Sequence, residues 1–455
     1  MYSAIQKNRR LAASPIVCKG KFTDKACIPV ALVIIGMLCF LALNGIDHKL
    51  FSTHITNTNS EQKLWPYVFE HIGMPIFSAV TAITIASIGI IFFPMALTHV
   101  SYWLLMLAQG FGILSLPFTI GENASGPSMI FRAIFLGISL ATTIFLYIWN
   151  FKYIRAMCVI LSHLGSVLVA NVYAMLIFGV FSLAGFSALL GLLFLEKRSS
   201  LTQNTMFGMG MSAACLLGGF YCIIVLHASK VYFARVFYKD LENKALSKKE
   251  SVARSAMKRT LLSSGTIFLA SILSWIVFLA RHYARRQLEQ QINNSRNQNA
   301  TFHIVIGMVI MFIITFILHL LDITLDMVNQ YTLVYNALYG DAYVKSMKNA
   351  WEAQKSGLPL QLRSYSIVLI VPSTLSLIAS IVGQTLYQSV QTGTYTVVPT
   401  FSLHTFAWAI PPVLVFFGSL TSMFIAFEYI YIAHYGLLTT GCPKLIIDFE
   451  KKLPA

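Results

Sequence analysis

Along the chain, long apolar blocks alternate with short polar ones. Runs of about twenty apolar residues fall at 27–46, 75–95, 99–120, 129–149, 168–195, 206–226, 260–280, 302–321, 364–386 and 405–427. That is the length a helix needs to cross about 30 Å of hydrocarbon. The pattern predicts an all-α polytopic membrane bundle of about ten transmembrane helices. Its least defined boundaries are a tight turn near His99 and the start of the fifth span. Between spans four and five, 151–167 (FKYIRAMCVILSHLGSV) sets Phe151, Ile154, Cys158, Leu161 and Leu164 at helical spacing beside Lys152 and Arg155, which predicts an interfacial helix. Segments 227–259 and 322–363 read as cytoplasmic loops too poor in core residues to form a catalytic domain. A basic segment, 1–26, precedes the membrane domain of 27–430, and a short tail, 431–455, follows it.

Composition excludes a soluble domain. Hydrophobic residues make up 56% of the 455 and charged residues 11%, against about 25% charged in ordinary soluble proteins. The net charge of +16 is not a nucleic-acid signature, because too few charged residues remain to build a binding face. It is distributed by side instead. In the ten-span scheme 24 of the 33 basic residues share one side with both termini, and eight lie opposite. By the positive-inside rule both termini are cytoplasmic. Acceptor triplets at Asn123, Asn293 and Asn299 fall in the outer loops, and Asn293 and Asn299 are the better glycosylation candidates because the Asn123 loop is short. Arg281, Arg285, Arg286 and Arg296 run against the charge rule.

Several kinds of chemistry are missing. The seven cysteines lack paired metal or redox spacing, and the chain has no phosphate loop, HExxH or GxSxG. This reads as no enzyme, no cofactor and no metal. Asp322, Asp326 and Asn329 share one helix face, for which a solvated helix end is a better reading than a metal or pyrophosphate site.

What remains for transport is mostly aromatic. Arg132 lies a few residues into its span, close enough to reach the outer headgroups. Glu428, in FIAFEYIYIAHYG, is flanked by Phe427, Tyr429 and Tyr431. It is either an interfacial glutamate in an aromatic belt or a gating, proton-coupled residue. Ring faces attract a poorly hydrated organic cation without needing hydrogen bonds. The candidate liners of a substrate path are therefore Asn171, Tyr173, Phe220, Tyr221, Trp275 and Glu428. Pro372 and Pro411-Pro412 interrupt spans nine and ten, while Gly210, Ala214 and Gly218 form a small-residue ladder that admits a close neighbour.

Three stretches of the second half resemble the choline transporter-like family, in its fungal branch. They are SAMKRTLLSSGTIFLASILSWIVFLARHYARRQL (255–288), VNQYTLVYNALYGDAYVKSMKNAWE (328–352) and FIAFEYI (424–430), the last placing Glu428 on the family's glutamate. HASKVYFARVFY (227–238) and KFTDKACIPVALVIIGMLCF (21–40) are weaker matches. The resemblance implies ten helices, cytoplasmic termini, a plasma-membrane location and a secondary carrier or facilitator for a choline- or ethanolamine-type cation. Two other functions fit the residues: a scaffold or trafficking factor acting through the basic loops, and a lipid-modifying enzyme using Asp322 and Asp326.

Overall fold

The computed structural model describes residues 21–29, 32, 33, 36, 74–119, 126–177, 203–242, 252–295, 301–354 and 403–453, and every regular element among them is helical. Helices α1 (Met74–Phe92) and α2 (Pro94–Thr119) cover the second and third predicted spans. They part at Phe93 rather than near His99, because Pro94 has no N–H to continue the ladder. Ser162 Oγ reaches across to this break and donates to the Ile91 carbonyl at 2.8 Å.

Ser162 belongs to α3 (Gly126–Ala170), a helix of 45 residues. At 1.5 Å per residue it is about 68 Å long, more than twice the hydrocarbon thickness. The expected interfacial helix, 151–167, is not a separate element but the second half of α3. Of its apolar stripe, Ile154, Cys158, Leu161 and Leu164 are buried against protein, where α3 meets α1 and later helices, whereas Phe151 is 56% exposed. Asn171 then interrupts the helix, and a new one begins at 172, four residues later than the predicted span.

The remaining elements are α4 (Gln203–Glu242), α5 (Val252–Leu262), α6 (Ser264–Ser295), α7 (Thr301–Tyr339), α8 (Tyr343–Gln354), α9 (Leu403–Ala433), α10 (Tyr435–Gly441) and α11 (Pro443–Lys452). α9 continues as one helix across Pro411 and Pro412. Spans 27–46, 168–195 and 364–386, with Pro372, lie wholly or mainly outside the described residues, as do Asn123 and Asn299. Asn293 stands in the last turn of α6 rather than in a loop.

Cross-contacts fix the directions. Ser271 Oγ donates to Cys215 O and Thr260 lies beside His227, so α5 and α6 run antiparallel to α4. Asn329 meets Ser274 and Asn336 meets Ser263, so they also run antiparallel to α7. A methyl added at Gly418 would touch Ile224, and one at Gly441 would touch Val236, so α9 and α10 run parallel with α4. The carboxyl ends of α4, α7 and α9 therefore gather at one end of the bundle with the amino end of α5.

That end holds the core. Val225, Leu226, Val231, Tyr232 and Phe233 of α4 and Leu333, Val334, Ala337 and Leu338 of α7 are all buried. In segments 227–259 and 322–363, expected as loops, α4 runs on to Glu242 and α7 to Tyr339, and the separate helices α5 and α8 make up most of the other described residues. The reason is packing: four helix ends bury one another's apolar faces, which no single segment could do alone.

The chain is an integral membrane protein. Among the described residues four helical stretches are long and apolar enough to cross a bilayer: Pro94–Leu114, Leu136–Ala170, Cys215–Val236 and Pro412–Ala433. Val252–Leu262 with Ser264–Val277, bent by 62°, makes a fifth if it is one broken span. The bend at Ser263 has a visible partner. Residues 21–29 lie in it, with Thr23 N donating to Leu262 O at 3.0 Å.

Candidate functional site

Three consecutive residues of α7 tie the bundle together. Successive helical side chains diverge by about 100°, so Asn329, Gln330 and Tyr331 reach three different helices. Asn329 Nδ2 donates to Ser274 Oγ of α6 at 2.7 Å and to Ala270 O at 3.3 Å. Gln330 Nε2 donates to Tyr221 Oη of α4 at 2.9 Å and to Asp326 Oδ2 at 2.9 Å. Tyr331 Oη donates to Glu428 Oε2 of α9 at 3.0 Å. Asn329, Gln330, Tyr331 and Glu428 are all buried, where an unsatisfied polar group is expensive.

One face of α7 carries a second node. Asn336 is seven residues, or two turns, beyond Asn329 and faces the same neighbours. Its Oδ1 accepts from Ser263 Oγ at 2.6 Å and from Arg259 Nη2 at 3.1 Å. Its Nδ2 donates to Asp341 O and, at 3.5 Å, to Thr266 Oγ1. Asn336 thus spans the α5–α6 break and the turn that ends α7. That turn needs Gly340, whose φ is 75° and whose N–H closes back on Asn336 O at 2.8 Å, the left-handed cap that glycine adopts without strain.

The segment at 21–29 completes the arrangement. Asp24 Oδ2 accepts from Thr266 Oγ1 and from the backbone N–H of Tyr343. Thr266 Oγ1 also bonds Thr23 Oγ1 at 2.7 Å. The approach is possible only because residue 265 is glycine, since a Cβ there would lie 2.1 Å from Asp24 O and 2.5 Å from Thr23 O. Tyr343 Oη, in turn, donates to Asn329 Oδ1. The two nodes and the segment form one continuous network.

A tyrosine cluster adjoins Glu428. Tyr335 and Tyr429 meet edge to face at 5.8 Å and Tyr335 and Tyr339 lie 4.4 Å apart. Tyr339 Oη is hydrogen-bonded to His434 Nε2. Burial pushes the Tyr339 phenol up to about 12, against the hydrogen bond with Tyr429 that lowers it.

The sequence-predicted residues divide into two groups. Tyr221 and Glu428 are joined through the adjacent residues Gln330 and Tyr331. Trp275 follows Ser274 on α6, half-buried, with its Nε1 enclosed and without a hydrogen-bond partner. Phe220 is half-buried beside Tyr221. Asn171 and Tyr173 stand apart: Asn171 Nδ2 turns back to Val167 O at 2.7 Å, and Tyr173 is 71% exposed. Of the helix end expected to be solvated, Asn329 is enclosed at 2% exposure because α6 and α8 cover it, Asp326 is half-buried, and the side chain of Asp322 lies outside the described residues. No group of three or more His, Cys, Asp or Glu suited to a metal occurs among the described residues. Of the small-residue ladder, Gly218 lies against Ser271, where a Cβ would come within 3.2 Å of Oγ, the close helix approach expected of it.

Residues 134–435, about two thirds of the chain, match the family model described as plasma-membrane choline transporter. The chain belongs to the choline transporter family. No curated protein matches it in a sequence comparison. The family match holds the whole network except the Thr23-Asp24 segment, which precedes it. Sequence reasoning missed Gln330, Tyr331, Asn336, Ser263, Thr266 and Asp24 as working residues. Gln330, Tyr331 and Asn336 lie in the family-like stretch 328–352, Ser263 and Thr266 in 255–288 and Asp24 in 21–40, but reading 328–352 as a loop hid that its polar positions point inward.

Proposed function

We propose that this member of the choline transporter family moves a choline-like small organic cation through a path beside α7, lined by Tyr221, Trp275 and Glu428. The observation that carries the reading is Glu428, a buried carboxylate held by Tyr331 and adjoined by tyrosines. A quaternary or primary ammonium needs this combination: ring faces for its poorly hydrated surface and one negative charge to offset its desolvation. Choline and ethanolamine both fit, and the Trp275 N–H offers a donor for their hydroxyl oxygen. The path lies where α4, α6, α7 and α9 meet, and the α5–α6 break is a place where one half of the bundle can rock against the other.

In this reading ten helices cross the plasma membrane and the buried end, which carries most of the basic residues, faces the cytoplasm. Asn293 and Asn299 are then external and available for glycosylation. The deciding experiment is uptake of radiolabelled choline and ethanolamine into liposomes holding the purified protein, with and without a pH gradient. Saturable uptake that Glu428→Gln reduces at least tenfold supports the proposal. Absence of saturable uptake of either compound under every gradient removes it.

A further inference from the structure

Helix α8 has three sectors rather than two. Tyr343, Ser346 and Ala350 are buried against the bundle. Val344, Met347 and Trp351, spaced i, i+3 and i+7, form an adjoining apolar stripe that is 64%, 36% and 47% exposed. On the far flank stand Lys345, Lys348 and Glu352, all exposed, Lys345 reaching Asp341 at 3.5 Å. A helix lying wholly in water would place polar residues where the stripe is, and a spanning helix would not carry the lysines.

Its position along the bundle matches the pattern. The apolar stretches of α4 and α9 end at Val236 and Ala433. His434, one residue further, meets Tyr339, the last residue of α7 before the turn into α8. The helix therefore starts where hydrocarbon-compatible sequence stops. Neighbouring α5 repeats the design: Met257 and Leu261 are exposed apolar residues flanked by exposed Arg254 and Lys258, and α5 turns by 62° before α6 begins the descent. Lys21 and Lys25 of the segment between them are exposed too.

We propose that α8 is a membrane-surface docking helix that seats Val344, Met347 and Trp351 at the headgroup–acyl boundary, with Lys345 and Lys348 on anionic lipid phosphates. The chemistry fits all three sectors: protein behind, acyl chain beneath, phosphate and water beside. The seat is coupled to the interior, because Tyr343 Oη bonds Asn329 and Asn349 Nδ2 donates to Tyr335 Oη at 3.0 Å. Lipid that pulls on α8 pulls on the residues next to Glu428.

The test places a diazirine-bearing amino acid at Met347, at Trp351 or, as control, at the exposed Glu352 in the full chain. The protein is reconstituted in phosphatidylcholine vesicles with or without phosphatidylserine, irradiated and analysed by mass spectrometry. Lipid adducts at 347 and 351 well above those at 352, enriched in phosphatidylserine over its share, support docking. Lys345→Gln/Lys348→Gln, verified as monodisperse, lowers that enrichment by about fivefold for each lysine neutralised. Absence of lipid adducts at 347 and 351, adducts to a protein instead, or enrichment unmoved by the double substitution overturns the proposal. None of these readings requires transport, so the result stands apart from the uptake assay.

Discussion

Asp24 caps a helix that begins 319 residues later. Its Oδ2 accepts the N–H of Tyr343, the first residue of α8, at 2.8 Å. The residue in the local capping position is Ala342, whose carbonyl accepts the first turn's bond from Ser346 N but whose side chain has no oxygen. The first-turn donors of a helix must be satisfied by something, and here a distant carboxylate does it, favoured also by the helix dipole.

Asp24→Ala is expected to destabilise the protein by about 1–2 kcal/mol, read as a lower unfolding midpoint in detergent. Asp24→Asn keeps a side-chain acceptor and tolerates the left-handed backbone at this position, where φ is 48°. It should restore most of the loss. Equal midpoints for the two variants would mean that the cap contributes nothing.

Gly265→Ala forces a Cβ into the backbone of Thr23 and Asp24, neither of which can yield without leaving the site. Limited trypsin digestion should then cut at Lys21 and Lys25 much faster than in the unaltered protein. At Gly218 the same substitution meets only a serine hydroxyl at 3.2 Å, and the cutting rate should not change.

Asn336→Ala strips the acceptor from Arg259 Nη2 and Ser263 Oγ and the donor from Asp341 O at one stroke. The expected cost is about 2–4 kcal/mol, measurable as a shift in unfolding midpoint. Asn336→Asp retains the acceptor and should lose less.

Within the proposed transport cycle, Tyr331→Phe removes the hydroxyl on Glu428 with little change in volume. Uptake should fall severalfold, less than for Glu428→Gln, because the charge stays. Tyr173→Ala, on the exposed surface, should leave the KM for choline unchanged. A large rise in that KM would put Tyr173 back among the lining residues.

Helix type and rough extent were legible because they depend on local facts. Blocks such as 75–95 and 405–427 are apolar over the span length, and α1 and α9 form there. The α1–α2 break was legible too, since Pro94 dictates it by lacking a donor, although the turn was expected five residues later. The site was half legible. Glu428, Tyr221 and Trp275 stood out as unusual residues in apolar runs. Asn329, Gln330 and Asn336 did not, because polar residues past the end of a span look like a loop when no neighbours are known.

The sequence by itself determined that this chain is a membrane-embedded helical protein and which family it resembles. Those are sums over residues or matches of short stretches, and they hold whatever each residue packs against. Only the tertiary structure decided that 151–167, 227–236 and 325–339 are helix packed largely against protein rather than surface, and that Asp24, Gly265, Asn336 and Tyr343 belong to one network. A polar residue is solvated or structural according to what lies opposite it. At this end of the bundle the partners come from helices dozens to hundreds of residues away.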